Sequence, residues 1–402
     1  MSETNPYQEL LEQLQAYESQ EERDRLSLRF SMGQLPEELQ AAVRAAAVPR
    51  FFDHAFLNAL LDQPLDEGQF AEILEQSYIE PYPGEGRYNV HERSRKLLQE
   101  RLWQEDEALY REISRRAFVY CRGQDQEDTT WRIETIYHQV IAEPDEGADA
   151  LNHTLAKWVN SFAYDKAESL LLGVREHKEL KRLLEKTAHY FLFYQAWVDI
   201  YFSRNRQAKA ALEQIPLADI KEDDFYLAAN CLKALGDVHL SLSELPAARK
   251  RYEECLPLYR EIGDRLGEAN CLQALGDVHL RLSELPEAEK YFFKAQQQYR
   301  DISEPVGEAD SLRMFGKLAV QTNDFVAAQQ YLEQASTQFE RIEGWEGVAE
   351  CLEGFAELHQ AQGQVEQAEE YWQKAADKYN EFAMPLRAEQ CLKHLRQLKE
   401  RE

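Results

Sequence analysis

One nine-residue stretch organises the chain: ANCLKALGD at residues 229–237 returns as ANCLQALGD at residues 269–277. Looser copies begin at Ala309 and Ala349, and a half-copy contains Cys391. Successive copies are therefore 40 residues apart. A fixed period of this length is typical of a solenoid, in which each repeat is one supersecondary unit that buries its apolar face against its neighbours.

The sizes of the residues within each copy predict two antiparallel helices per repeat. Small residues let two helices approach closely, and large residues fill the space beside them. The first small position holds Gly236, Gly276, Gly316 and Ala356. The second holds Ala248, Ala288, Ala328 and Ala368. Each is followed by a large and a small residue: Tyr252 and Cys255, Phe292 and Ala295, Leu332 and Ala335, Trp372 and Ala375. Four glycines are predicted to lie in the turns between helix pairs: Gly263, Gly267, Gly307 and Gly347.

This spacing resembles that of the tetratricopeptide repeat, and the likeness covers roughly residues 150–402. The period of 40 residues, instead of 34, implies longer helices, as in bacterial regulatory arrays and in the tails of STAND proteins. Residues 391–399 form a half repeat with a charged end, which is suited to cap the stack.

The resemblance to tetratricopeptide repeats implies that a partner peptide or helix binds a concave face, which is lined by the first helix of each pair. Counted from the repeat phase, this face is polar and mixed at one end and acidic at the other. An acidic surface prefers a basic partner segment, whereas a solvated helix face without a partner is the alternative. The predicted partner-binding residues are Asn230, Lys233, Asp237, Asn270, Gln273, Asp277, Asp310, Arg313, Lys317, Glu350, Glu353 and Glu357.

Upstream, residues 35–91 hold three short helical patterns followed by two extended segments. Pro36 and Glu37 suit the first turn of a helix, and Asp53 is a candidate N-cap for the second helix. A glycine-containing turn at residues 83–86 separates the two extended segments. Three helices followed by a hairpin predict a winged-helix domain.

The order of these motifs over residues 35–121 resembles the winged-helix domain of STAND ATPases of the NB-ARC type. The likeness rests on LPEELQ at residues 35–40, RFFD at 50–53 and GRYNVHE at 86–92. In that family the histidine equivalent to His91 contacts the ADP phosphate and holds the protein inactive. This sequence contains no GxxxxGK[ST] phosphate loop. The favoured prediction for His91 is therefore a structural residue at the junction of strand and helix, and contact with a nucleotide in a complex is the alternative.

Residues 87–122 are rich in Lys and Arg, although the chain as a whole is acidic. Winged helices often bind duplex DNA, and such binding needs phosphate contacts from a basic face. Glu92 and Glu112 are among several acids interleaved at helical spacing, which favours local ion pairs over contact with DNA. The residues that would contact nucleic acid are Arg93, Arg95 and Lys96.

The composition limits the classes of partner. The chain has 402 residues, 44% of them hydrophobic, and a formal charge of −27. The hydrophobic fraction suffices for folded cores, whereas the negative charge argues against wrapping nucleic acid or docking on anionic membranes. The sequence has no run of 18 apolar residues and no signal-peptide core, so the predicted compartment is the cytoplasm.

Several cysteines and histidines recur with the repeat. Equivalent positions in a stack of helices lie about 10 Å apart, too far for a disulfide bond, so these cysteines are predicted to be small buried residues. A recurring histidine indicates a structural slot, because an active site needs unlike groups that converge. No catalytic motif or metal-site spacing is present, so no enzyme activity, metal or cofactor is predicted. The recurring residues are Cys231, Cys271, Cys351, Cys391, His239, His279 and His359.

The predicted fold is mainly α, with a winged-helix domain followed by an α-α superhelical tetratricopeptide solenoid. The favoured function is a non-enzymatic adaptor or regulatory scaffold that binds a protein or peptide through the concave face, in a signalling or defence complex. The alternative is a transcription regulator whose winged helix binds DNA and whose repeats sense a peptide or protein. The predicted domains are a helical lead-in (1–34), a winged-helix-like domain (35–121), an acidic linker with a short helix (122–150), degenerate helical repeats (151–222) and tetratricopeptide repeats with a capping helix (223–402).

Overall fold

The computed structural model describes residues 10, 13–17, 19–84, 86–218, 220, 224–382 and 384–399. Part of the predicted lead-in helix and Glu85 of the predicted hairpin turn lie outside these ranges. The chain divides into two compact units, residues 1–194 and residues 195–402.

The N-terminal unit begins with short helices whose starts follow from local sequence. Pro36 directly precedes one helix, where its fixed φ and missing N–H suit a helix start. The Asp53 side chain accepts a hydrogen bond of 2.7 Å from the backbone N–H of Phe56 and so caps the next helix. These helices are α1 (Gln20–Gly33), α2 (Glu37–Ala46), α3 (His54–Leu60) and α4 (Glu67–Leu74).

A small antiparallel hairpin follows the first four helices. Strand β1 (Ile79–Pro81) pairs with β2 (Tyr88–Val90), with Ile79 opposite Val90. The backbones of Phe52 and Tyr88 exchange two hydrogen bonds of 2.7 and 2.8 Å, so a third extended segment borders the hairpin. The predicted order of three helices and a hairpin over residues 35–91 is therefore present.

The segment predicted to be an acidic linker contains a core helix of the N-terminal unit. Ile136, Tyr137 and Val140 of this helix are fully buried. The acids that suggested a linker lie beside the helix, where the Asp128 side chain accepts a hydrogen bond from the backbone N–H of Thr130. The helices of this region are α5 (Glu92–Glu105), α6 (Glu107–Arg122), α7 (Thr129–Ala142), α8 (Pro144–Asn160) and α9 (Tyr164–Glu179).

A buried ion pair lies in the core beside α7. Glu134 is fully buried, and its two carboxylate oxygens accept hydrogen bonds of 2.9 and 2.7 Å from the backbone N–H and Nε of Arg50. Nε2 of His138 lies 3.3 Å from the same carboxylate. Burial raises the pKa of Glu134, but Arg50 and His138 outweigh this effect and hold that pKa at about 2. Glu134 is therefore ionised at neutral pH.

The C-terminal unit is a series of antiparallel helix pairs, as the 40-residue period predicts. The chain divides between its units inside the long helix α10 (Glu185–Tyr201). The later helices are α11 (Asn205–Leu212), α12 (Phe225–Ser241), α13 (Leu245–Ile262), α14 (Arg265–Arg281), α15 (Leu285–Asp301), α16 (Pro305–Gln321), α17 (Phe325–Arg341), α18 (Trp345–Ala361), α19 (Val365–Glu381) and α20 (Pro385–Lys399).

The predicted small positions mark the close approach of the two helices in each pair. A Cβ atom on Gly276 would lie 2.4 Å from the Phe292 ring, and a Cβ atom on Gly236 would lie 2.5 Å from the Tyr252 ring. Each of these rings is fully buried. The predicted division into small and large positions is thus confirmed.

Three of the four glycines predicted to lie in turns are instead inside helices. Gly267, Gly307 and Gly347 lie in the first turn of α14, α16 and α18, against the rings of Tyr259, Tyr299 and Phe339. Each ring belongs to the preceding pair, so these glycines permit close packing between repeats. Only Gly263 lies in a turn, where its φ of 73° is the left-handed conformation that glycine adopts without strain.

The recurring histidines fix the turn inside a helix pair. Nδ1 of His279 donates a hydrogen bond of 2.6 Å to the carboxylate of Glu284, five residues later. His239 makes the same contact with Glu244, and His359 with the amide oxygen of Gln364. These contacts give each histidine the structural role that its periodicity indicates.

The recurring cysteines are all buried and unpaired. Ser311, which occupies the same position in the remaining copy, is also fully buried. Burial raises the pKa of the Cys351 thiol to about 12, so this side chain stays protonated and behaves as a small packing residue.

Candidate partner-binding surface

The twelve predicted partner-binding residues lie on the first helices of four successive pairs, α12, α14, α16 and α18. We call this set the first-helix face. Every member is half-buried, neither enclosed in the core nor fully exposed. Each of these residues is therefore partly accessible to solvent.

In the first two repeats, tyrosines of the second helices hold this face in place. The Tyr259 hydroxyl donates a hydrogen bond of 2.9 Å to Oδ1 of Asn230, and the Tyr299 hydroxyl donates one of 2.7 Å to Oδ1 of Asn270. These bonds fix the orientation of the asparagine amides.

Lys233 and Asp237 of the same face are similarly engaged. Nζ of Lys233 lies 2.8 Å from Asp237, which also accepts a hydrogen bond of 2.8 Å from the Tyr252 hydroxyl. Asp277, at the equivalent position of the next repeat, pairs instead with Arg281 at 3.1 Å. The polar side chains of this half are thus largely neutralised within the array.

The third repeat changes this pattern. Phe339 occupies the position of Tyr259 and Tyr299 and has no hydroxyl group. Asp310, at the position of the two asparagines, instead accepts hydrogen bonds from Arg313 and from the amide of Gln273 in the preceding repeat. The tyrosine hydroxyl is therefore lost in the same repeat in which aspartate replaces asparagine.

Arg313 links the third and fourth repeats. Its guanidinium contacts Asp310 and lies 3.4 Å from the carboxylate of Glu350, which is also 3.6 Å from Arg387. Burial raises the pKa of Glu350, but Arg313 and Arg387 outweigh it, so this pKa lies below its usual range. Burial raises the pKa of Asp310 above its usual range despite the contact with Arg313.

Acids outnumber cations at this end of the first-helix face. Glu353 accepts a hydrogen bond of 3.4 Å from the Cys391 thiol. The carboxylate of Glu357 lies 3.9 Å from Nζ of Lys317, and its side chain is 41% exposed. Five carboxylates meet three cations: Asp310, Glu346, Glu350, Glu353 and Glu357 against Arg313, Lys317 and Arg387. Cationic groups of a partner would find uncompensated charge here.

The residues predicted to contact nucleic acid do not share one surface. Arg95 is only 13% exposed; its guanidinium pairs with Glu176 at 2.8 Å and donates hydrogen bonds to the backbone carbonyls of Pro49 and Val48. Arg95 therefore has a structural role, and its guanidinium is not available for the nucleic-acid contact that was the less favoured alternative for it. The spacing of charged residues in the sequence does not show that Arg95 packs against the backbone of Val48 and Pro49.

Arg93 and Lys96 are exposed on α5. Arg93 lies 3.8 Å from Asp24 of α1, and Glu21 and Glu100 line the same shallow depression. Carboxylates beside both cations weaken any attraction to phosphate. His91 directly precedes α5; its backbone N–H donates to the carbonyl of Tyr78 at 2.7 Å, and its side chain does not cap the helix.

The sequence predictions missed one feature of the array, an open groove of about 610 Å³ on the side of the second helices. It lies between α15 and α17, and Leu312 and Phe315 of α16 line it. Phe293 borders the groove and is 53% exposed. The sequence does contain a signal for this groove, because Phe293 is apolar at a position that is polar in the other repeats. The equivalent residues are Glu253, Glu333 and Gln373.

The described part of the chain contains neither a cluster of metal ligands nor a membrane-spanning helix. In those ranges no three His, Cys, Asp or Glu side chains are grouped as metal ligands would be. No described helix is both long enough and apolar enough to cross a bilayer.

Comparison with solved structures finds similar proteins at low identity. A STAND protein with a tetratricopeptide repeat sensor from Pyrococcus horikoshii is 15% identical, with a TM-score of 0.46, over 89% of this chain and 63% of that one. Aspartyl phosphate phosphatase F from Bacillus subtilis is 13% identical, with a TM-score of 0.41, over 95% of both chains. The apo quorum sensor NprR from B. thuringiensis is 13% identical, with a TM-score of 0.41, over 75% of this chain and 92% of that one.

These likenesses are too weak to indicate what the chain binds. The chain spans less than two thirds of the Pyrococcus protein. No curated protein sequence matches it.

Family models match the array directly. A tetratricopeptide repeat model matches residues 227–301 and 268–341. A second model of this repeat matches residues 348–381. The matched residues comprise the helix pairs from α12 to α19, whose small and large positions are described above. Residues 227–341 and 348–381 therefore match tetratricopeptide repeats.

Proposed function

We propose that this protein is a non-enzymatic adaptor or regulatory scaffold that binds a protein or peptide partner on the first-helix face. The partner segment carries basic residues, which lie against the acidic end formed by the third and fourth repeats. On this proposal the face is the concave surface of the array, and the protein acts in a signalling or defence complex in the cytoplasm.

One observation carries this proposal: the first-helix face is pre-organised and has an excess of acid at one end. The hydrogen bonds of Asn230, Asn270 and Gln273 fix polar groups at regular intervals, which lowers the entropy lost when a partner binds. The excess of carboxylates around Arg313 provides electrostatic complementarity to a basic segment.

The test is selection of peptides from a phage-displayed library of random dodecapeptides on the full chain. We expect the selected peptides to be enriched in Lys and Arg. Their affinity should fall at least tenfold in the double variant Glu353→Gln, Glu357→Gln, which removes two negative charges with little change in side-chain size.

The matched control is the double variant Glu340→Gln, Glu366→Gln. It removes the same charge from α17 and α19, where both glutamates are exposed and neither takes part in an ion pair among the described residues. Affinity in this control should change less than twofold. Selected peptides without basic residues, or equal losses in both double variants, would contradict the proposal.

The N-terminal unit is proposed to contain a winged-helix module at residues 35–121, which packs against other parts of a complex and does not bind DNA. The order of helices and hairpin supports the module. The burial of Arg95 and the acids beside Arg93 and Lys96 support the absence of DNA binding. Salt-dependent binding to duplex DNA that is lost in the double variant Arg93→Glu, Lys96→Glu would favour the transcription regulator instead.

A further inference from the structure

The groove on the side of the second helices has a mixed lining, with apolar side chains beside polar and charged ones. Leu312 and Phe315 of α16 line it, with Phe293 of α15 on one side and Tyr331 of α17 on the other. The Phe315 and Tyr331 rings are 5.6 Å apart between centroids. The groove volume of about 610 Å³ lies within the usual range for ligand pockets.

The lining of the groove differs in polarity from the equivalent part of the preceding repeat. One repeat upstream, Leu256 packs against the same apolar cluster as Tyr291. The position equivalent to Leu256 is Gln296 in the next repeat, where a polar side chain lines the groove. A polar side chain therefore lies in the repeat of the exposed Phe293 at the position where the preceding repeat has an apolar one.

Gln296 supplies a polar group that lacks a partner. Its side chain is only 8% exposed, lines the groove and forms no hydrogen bond with any described residue. Neither of its amide atoms is among the buried unpartnered atoms of the described residues, so the amide reaches solvent in the groove and is available to a ligand. The carbonyl and N–H of a peptide bond in the groove would satisfy both ends of this amide.

The charged side chains at the border of the groove favour a carboxylate. Lys290 and Arg300 line it together with one acid, Glu289. Lys290 forms no ion pair among the described residues, and Arg300 is 3.7 Å from Glu308 with both side chains partly exposed. Gln334 on the opposite wall is neutral. The groove thus contains more cationic than anionic lining groups, in a chain of formal charge −27.

We propose that this groove is a second peptide-binding site, separate from the first-helix face. Its occupant is a peptide segment in which a bulky apolar side chain lies next to a carboxylate. The apolar side chain packs against Phe293 and Phe315, a peptide bond pairs with Gln296, and the carboxylate meets Lys290.

The test uses three capped, fluorescein-labelled octapeptides and fluorescence anisotropy on the full chain. The first has a central Trp flanked by Glu, the second has Lys in place of Glu, and the third has Ser in place of Trp. We expect the first peptide to bind at least tenfold more tightly than the other two.

Two variants test the groove with residues that other repeats already carry at the same positions. Phe293→Glu copies Glu253 and Glu333, and Gln296→Leu copies Leu256, so both are compatible with folding of the array. Each should weaken the first peptide at least tenfold. The control is Val306→Glu, because Val306 is 51% exposed, close to the 53% of Phe293, and does not line the groove.

Three results would overturn the proposal: equal binding of the three peptides, unchanged binding in Phe293→Glu, or self-association that disappears in Phe293→Glu. The last result would identify a second copy of the chain as the occupant. The double variant Glu353→Gln, Glu357→Gln should leave binding of the first peptide unchanged, so failure of this site is distinct from failure of the first-helix face.

Discussion

In the tetratricopeptide array, several buried and half-buried polar side chains find partners at short spacings that repeat. His279 bonds to Glu284 five residues later, and Tyr299 bonds to Asn270 across 29 residues. In the N-terminal unit, by contrast, Arg50 and Glu134 are 84 residues apart, and their arrangement occurs once. A polar contact in one repeat of the array can therefore change while the equivalent contacts in the other repeats remain. The N-terminal core instead depends on contacts that have no equivalent elsewhere.

The largest expected effect follows from removing the charge of Glu134. Glu134→Gln would leave Arg50 without its partner, and breaking a buried ion pair in this way costs about 3–5 kcal/mol. We expect the N-terminal unit to lose stability by an amount in this range, measured by urea denaturation. Glu107→Gln is the control, because Glu107 forms an exposed pair with Arg111 and should cost less than about 1 kcal/mol. Equal costs would contradict the claim that the N-terminal core depends on the buried contact between Arg50 and Glu134.

Acid should weaken the N-terminal unit through the same carboxylate. The pKa of Glu134 is about 2 in the folded chain and about 4.3 in unfolded peptides. Its contribution is therefore present above about pH 4.3 and is lost as the pH falls towards 2. It amounts to roughly 3 kcal/mol. Urea denaturation between pH 5 and pH 2 should give a shallower loss of stability in Glu134→Gln than in the wild type, and parallel curves would refute this assignment.

Close packing between helices in the array is tested by Gly276→Ala. The new Cβ atom would lie 2.4 Å from the ring of the fully buried Phe292, and overpacking of this kind costs about 1–3 kcal/mol. The gain in helix propensity offsets up to about 1 kcal/mol of this cost. Gly33→Ala is the control because an added Cβ atom there would have no atom within 4 Å other than those of its chain neighbours and its own helix backbone. Thermal unfolding should separate the two variants, and an equal or higher melting temperature for Gly276→Ala would contradict the packing account.

The smallest expected effect concerns the tyrosine that fixes the first-helix face. Tyr299→Phe removes the hydroxyl that bonds to Asn270 and should cost about 1 kcal/mol. The third repeat tolerates phenylalanine at this position because Asp310 binds Arg313 and Gln273 instead. Tyr226→Phe is the control, because Tyr226 is 60% exposed. A loss no greater than in this control, measured by urea denaturation, would show that the hydroxyl does not stabilise the array.

The sequence predicted those parts of the fold that repeat. The small residues at Gly236 and Gly276 and the buried positions of Cys231 and Cys271 follow from a period that averages over several copies. The turn prediction for Gly267 was wrong because the same small size serves a turn or a close contact between helices. The position of the Tyr259 ring beside Gly267 shows that this glycine serves a close contact between helices.

Features that occur once could not be read from the sequence. Arg95 resembles its exposed neighbours Arg93 and Lys96 in charge and spacing, and only the fold places its guanidinium beside Glu176. Helix α7 has the buried residues of a core helix, although acids at its ends gave it the composition of a linker. The exposed Phe293 was visible as a departure from the repeat, but its significance depends on the groove beside it.

The most direct test of the central claim is hydrogen–deuterium exchange of the full chain with and without a basic peptide selected on it. If the peptide binds the first-helix face, amides of α16 and α18 should gain protection, and this gain should disappear in Glu353→Gln, Glu357→Gln. Protection confined to the second helices α15 and α17, or to residues 35–121, would contradict the claim that the first-helix face binds the partner.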